Sequence, residues 1–165
     1  MAVDIFLKLS NNIKGESQDE KYHDQIDILG WTWGLTQSGT THMGSGGGGG
    51  KVNVQDLTVT KYVDLATTEV IKRGCSGEHI TDGELIVRKS GGGQPVEYFR
   101  LKMSNLMITS WVASGQKDGL DRLTETLTLN FRKFEVTYTP QGADGTPGAE
   151  VTASWDIAQN TIWNS

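Results

Sequence analysis

Five consecutive glycines, Gly46, Gly47, Gly48, Gly49 and Gly50, stand directly before Lys51. Glycine-rich runs ending in lysine build phosphate-binding loops, whose backbone N–H groups cradle an anion. The spacing here excludes one. The motif needs Gly, four residues, Gly-Lys and then Ser or Thr, whereas the outer positions here are Ser45 and Val52. The stretch after Lys51 alternates as a strand, so no helix N-terminus follows to hold phosphate. What remains is a pliable loop, because glycine bends without steric cost.

The other reactive side chains are equally sparse. His23, His42 and His79 are far apart and lack metal-ligand spacing. Cys75 and His79 form a lone Cys-x3-His pair with no further ligands, and as nucleophile and base they lack an orienting third group. Asp118 and Asp121 lack the regular oxygen spacing of a calcium loop. The acidic cluster at residues 16–20 reads as a solvated loop. No catalytic residue, metal site or cofactor is assigned. Trp31 and Trp33 flank Thr32 and share one side of a strand. Core packing is the favoured role for such a pair, and a sugar-binding platform is the sharper alternative. Thr32 then points outward.

The 165 residues carry a net charge of -5, and the pI is about 5.1. The basic residues are scattered, which argues against nucleic acid as a partner. One cysteine permits no internal disulfide. The N-terminus lacks the basic region and apolar core of a signal peptide. No apolar run is long enough to span a bilayer, so no membrane insertion is expected. The expectation is one domain, residues 1–165, made in the cytoplasm and leaving the cell, if it does, without a cleaved signal.

These residues must be positioned by strands. Val3, Ile5, Leu7 and Leu9 alternate with Asp4, Phe6 and Lys8, giving a strand with one buried face. Residues 11–24 are polar and read as an exposed loop. Residues 25–37 form a longer strand that changes face at Leu29-Gly30, with Gly30 the natural bulge. Residues 38–50 are the loop SGTTHMGSGGGGG. Val52 and Val54 give way to Leu57 and Val59 at Gln55-Asp56. A helix follows at about 64–73, N-capped by Asp64 and stopped by Gly74; so short a helix must be docked. Residues 79–89 read as a strand, and 91–95 as a hairpin loop. Residues 96–112 change face at Ser104-Asn105, and 123–139 at Arg132-Lys133. A last strand holds Val151, Ala153 and Trp155, and 160–165 reads as a loose tail. Strands that change face halfway turn a corner or wrap a barrel. The fold class is therefore mainly β: a compact antiparallel barrel or sandwich, with one helix on its side and a long glycine-rich loop.

Several stretches together resemble a known family. MAVDIFLKL, the run DILGWTWG at 27–34, THMGSGGGGGKVNVQDLTVTKYVD, the helix with Cys75-Ser76-Gly77-Glu78-His79, Val96-Glu97-Tyr98, and DRLTE leading into LTLNF at 121–131 are similar, in this order, to Hcp, the haemolysin-coregulated protein of the bacterial type VI secretion system. The resemblance covers nearly the whole chain and is vaguest after about residue 140. It implies a small β-barrel with one helix, assembled as a homo-hexamer, with rings stacked into the inner tube. It also implies sheath proteins outside, effector proteins in the lumen, the spike protein VgrG as a cap, and secretion through the type VI system itself. No enzymatic activity is implied.

A ring closed by rotation needs two different faces on each subunit, and stacking needs a protruding rim element. Residues 38–56 are the best candidate for that element. Thr41, His42, Met43, Gly46, Gly47, Gly48, Gly49, Gly50, Lys51, Asn53 and Gln55 are the expected ring-stacking contacts. By the same match Thr32 faces the lumen and its cargo. Two readings from other classes stand beside this one: a carbohydrate-binding β-sandwich using Trp31, Trp33 or Trp111, and an enzyme using Cys75 and His79.

Overall fold

The computed structural model describes residues 2–42, 44, 48–89, 95–119 and 121–164. Its strands are β1 (Val3–Leu9), β2 (Ile26–Asp27), β3 (Gly30–Thr32), β4 (Leu35–Thr36), β5 (Asn53–Val54), β6 (Leu57–Tyr62), β7 (Ile80–Lys89), β8 (Val96–Ser114), β9 (Thr124–Tyr138) and β10 (Val151–Asp156). One helix, α1 (Thr67–Ser76), lies between β6 and β7. The pairings are antiparallel throughout, in the order β2-β1-β7-β8-β9-β6-β3. β9 pairs with β6 along its first half and with β10 along its second.

The two ends of that order are consecutive pieces of one segment. β2 pairs with β1 and β3 pairs with β6. Between them the Ile28 N–H donates to Ile5 O and the Leu29 N–H to Thr60 O, at 2.9 and 2.8 Å. The sheet thus curls until its edges meet along residues 26–32, which removes two open edges. The sequence suggests one strand over 25–37. The chain instead forms three short pieces there, because it changes partner from β1 to β6 and then leaves for β4.

The face changes of the long strands fall on one line. Ile80 is opposite Leu106 and Asp82 opposite Ser104. Ser104 is opposite Lys133 and Leu106 opposite Phe131 in a single unbroken register. All three strands therefore turn their inward side over together. Asn105, at φ 57, absorbs the turn in β8; asparagine tolerates this left-handed backbone better than most residues. Further along β8 the register slips once against β9, between Ile108 and Ser110. The corner lets one sheet wrap one core, built from Leu7, Leu9, Ile26, Leu57, Val59, Leu85, Leu101, Met103, Leu106, Leu127 and Leu129, all at 5% exposure or less.

The helix sits three residues later than its sequence span. The N-cap is Ala66 and not Asp64, with no side-chain cap bond; Asp64 instead braces the turn before it, its carboxylate accepting the Ala66 N–H at 2.9 Å. Gly77, at φ 71, ends it, and its N–H bonds to Arg73 O. This is the left-handed helix stop that glycine suits. Gly74 lies inside the helix, where a side chain would meet Ile108.

Residues 11–24 are irregular but not merely solvated. Ile13, Ser17 and Tyr22 are buried. Gly15 passes so close to Gln25 that a Cβ would lie 2.6 Å from its carbonyl oxygen. The tail is also tied down: Ser154 Oγ donates to Trp163 O at 2.6 Å, and Asp156 bridges Thr161.

Candidate functional site

The glycine-rich segment is a hairpin arm rather than a slack loop. Leu35 pairs with Val54 and Thr36 with Asn53. Farther out Gly39 bridges Gly49, and Thr40 Oγ1 donates to Gly48 O and accepts the Gly48 N–H, at 2.8 and 3.2 Å. The base is pinned by the Gln55 N–H to Gly34 O (2.9 Å) and by Trp33 Nε1 donating to Gln55 O (3.0 Å). Along the described arm nearly every residue is exposed, including Leu35, Thr41, His42 and Lys51. Met43, Gly46 and Gly47 lie outside the described residues. Both faces of this two-stranded ribbon are open, which suits an element that meets another molecule.

Thr32 is exposed while its neighbours Trp31 and Trp33 turn inward. Trp31 stacks on Phe99 with ring centroids 5.1 Å apart, and Trp33 meets Phe134 edge-on at 5.0 Å. Trp111 donates its indole N–H to Glu125 at 2.8 Å. These contacts tie all three half-buried rings into the fold. Thr32 heads a row that continues through Thr58 on β6 and Thr128 on β9. The row is uncharged, and the Thr60–Thr126 pair beside it keeps the same character.

Cys75 is exposed on α1, and His79 Nδ1 lies 2.7 Å from Asn105 Oδ1. The orienting partner of His79 is thus an amide at a backbone corner. Among the described residues no group of His, Cys, Asp or Glu could hold a metal ion.

Two polar clusters escape the sequence reading. The first lies inside the barrel wall. Lys61 is wholly buried, and its ammonium pairs with Glu125, with Asp64 at 2.8 Å and with Tyr62 O at 2.9 Å. Glu125 also accepts from Thr67 Oγ1 (3.0 Å) and Trp111. One carboxylate thereby joins β6, β8, β9 and the first turn of α1. A signal was present: Lys61 shares parity with Leu57 and Val59, and Glu125 with Leu127 and Leu129. Charges at inward positions of two strands need each other.

The second cluster straps residues 11–24 to the outside of β7 and β8. Arg88 bonds Asp19 through both terminal nitrogens and Asp4 at 3.0 Å, and lies over the Phe6 ring. The hydrogen bond from Arg88 is the main reason the Asp19 carboxyl is held below its ordinary range. Tyr22 donates to Glu97, which Lys21 also pairs at 2.6 Å. Burial, then the Glu97 bond, pushes the Tyr22 phenol well up.

The family model for the type VI secretion system effector Hcp matches residues 6–138. Protein hcp1 of Pseudomonas aeruginosa is 47% identical over 161 residues, covering 97% of this chain and 98% of that one. A solved structure of a type six secretion system protein superposes with a TM-score of 0.90 at 28% identity, over 97% of this chain and 99% of the other. Hcp1 from Salmonella typhimurium superposes at 0.79 with 31% identity, over 99% and 100%. The match runs through the curled sheet and its helix, and the chain belongs to the Hcp family of type VI secretion proteins.

Proposed function

We propose that this chain is the ring-forming subunit of the type VI secretion inner tube. Six copies close into a ring, and rings stack through the arm. Thr32 and its hydroxyl row face the lumen, where effector proteins ride, and the subunit is itself exported. Sheath proteins and the spike VgrG are its further partners. The domain works as a structural and carrier element rather than as an enzyme.

The observation that carries the reading is the arm. It leaves the barrel as a paired ribbon with both faces exposed, and a two-stranded ribbon alone in water is marginal. Contact with a second copy would complete it. The barrel also offers two unlike flanks, the strap over β7 and the helix beside β8, as a head-to-tail ring needs. The test is native mass with negative-stain microscopy of the purified chain. The expected mass is six times the 18.0 kDa of one chain, with ring-shaped particles. A monomer at every concentration, with no rings, overturns the proposal.

A further inference from the structure

Where the arm joins the barrel, a pocket of about 380 Å3 opens. Its polar wall comes from four places in the chain: Lys51 at the end of the arm, His79 between α1 and β7, Asn105 at the β8 corner, and Asn130 and Arg132 on β9. Met107, Phe131 and Ile157 supply an apolar floor. No carboxylate is among its lining residues, in a chain whose net charge is -5. Asp156 pairs Arg132 from behind the wall, but Lys51 shares the hollow with no lining carboxylate, which favours entry of an anion.

The walls are also held in position. Asp156, buried at the end of β10, lies 3.5 Å from Arg132 Nε and accepts the Gln159 N–H at 3.0 Å. The Ile157 N–H bonds the Arg132 carbonyl at 2.9 Å. The Nε side of the guanidinium is thus anchored by Asp156, and its two terminal amino groups form the other edge. That paired edge matches a planar or tetrahedral oxyanion. Lys51 forms no ion pair with the described residues. His79 is fixed through Nδ1 to Asn105 Oδ1, and since an amide oxygen only accepts, Nδ1 carries the proton. Asp56, which could compete, is occupied by Thr109 at 2.6 Å and by Asn130 at 2.9 Å.

We propose that this pocket binds an anionic group, a carboxylate or phosphate, between Arg132 and Lys51, with a short apolar body over Met107, Phe131 and Ile157. The volume falls within the range of small-ligand sites. The same chemistry has two sources, a free small anion or an acidic side chain of a second copy. The second source rests on the tube reading; the first does not.

The test is calorimetric titration of the full chain with inorganic phosphate and with succinate, against sodium chloride at matched ionic strength. The expected result is saturable binding of at least one of the two probes, weakened by about tenfold or more in the Lys51→Gln, Arg132→Gln double variant. Both residues are exposed or half-exposed, and an unchanged melting midpoint shows that the variant is folded. Heats equal to chloride, or equal affinity in the folded variant, overturn the proposal. Native mass and microscopy of the titrated sample separate the sources. Binding that leaves stacks intact assigns the pocket to a free anion. Binding that releases single rings from stacks assigns it to a second copy's carboxylate. A monomer that binds phosphate in the pocket defeats the tube reading and leaves this one standing.

Discussion

Glu125→Gln should destabilise the fold far more than its size suggests. The carboxylate accepts from three donors: Lys61 and Thr67 on one oxygen and Trp111 on the other. A glutamine keeps one acceptor and turns the other position into a donor. Thr67 can rotate its hydroxyl to accept, but the Lys61 ammonium and the Trp111 indole cannot. One of them must face an N–H, and Lys61 loses a charge partner while remaining wholly buried. Removing one partner of a buried pair costs about 3–5 kcal/mol. Asp64 stays 2.8 Å from the ammonium, so the low end, about 3 kcal/mol, applies. For a chain of this length each kcal/mol moves the melting midpoint by about 2–4 °C, giving a fall of roughly 6–12 °C. The assay is thermal unfolding at one fixed protein concentration, since association shifts the midpoint. Glu69→Gln is the control. Its pair with Lys72 is exposed and should be worth less than about 0.5 kcal/mol. A Glu125→Gln midpoint within about 2 °C of the parent would refute the reasoning.

Gly15→Ala should cost about 1–3 kcal/mol, because the new methyl meets the Gln25 backbone, which cannot step aside; chemical denaturation reads it. Asp19→Asn should weaken the fold at pH 6 by about 1.5–3 kcal/mol, the worth of hydrogen bonds to a charged group. Because the folded carboxyl lies below its ordinary value, its contribution is complete above that value and fades as pH falls through the folded one. The variant and parent should therefore converge as pH falls below the ordinary carboxylate range, and a constant gap throughout contradicts the assignment. Thr32→Arg should leave the ring mass unchanged and alter effector retention in pull-downs; unaltered retention counts against a lumen position. Deleting Gly46, Gly47, Gly48, Gly49 and Gly50 should leave single rings and shorten stacks in micrographs, and normal polymerisation removes the arm from the stacking contact.

The β-architecture was legible because period-two alternation survives wherever a strand keeps one wet face. The corner was legible for a sharper reason. Met103 to Leu106 and Phe131 to Phe134 each break the alternation by one residue, and the two breaks prove to be opposite each other. The closing segment at 26–32 was not legible, since partner exchange leaves no mark on hydrophobic parity. Residues 11–24 were misread for a related reason. Asp19 looks solvent-bound in sequence, yet its partner Arg88 is distant along the chain, and the register of β1 against β7 is what sets Arg88 opposite Asp4. Lys61 and Glu125 could have been found, because both sit on inward parity, but only their opposition across β6 and β9 makes them compatible with burial.

The arm is the place where composition misled most usefully. Five glycines argue for slack chain, since each loses more freedom on ordering than any other residue, at about 0.5–1 kcal/mol relative to alanine. Yet the described glycines are placed: Gly49 bridges Gly39, and Gly48 is bonded twice to Thr40. A Cβ on Gly50 would lie 2.8 Å from Ser38 Oγ, a hydroxyl that can rotate away. Such a ribbon holds few apolar contacts of its own, and its anchors are confined to the base, at Trp33 and Gln55. A ribbon held at its root gains stability from a second surface. A segment ordered at its root, thin enough to lie flat and exposed on both faces is suited to fold against a neighbour. That is the physical content behind assigning stacking to the arm and not to the better-packed flanks of the barrel.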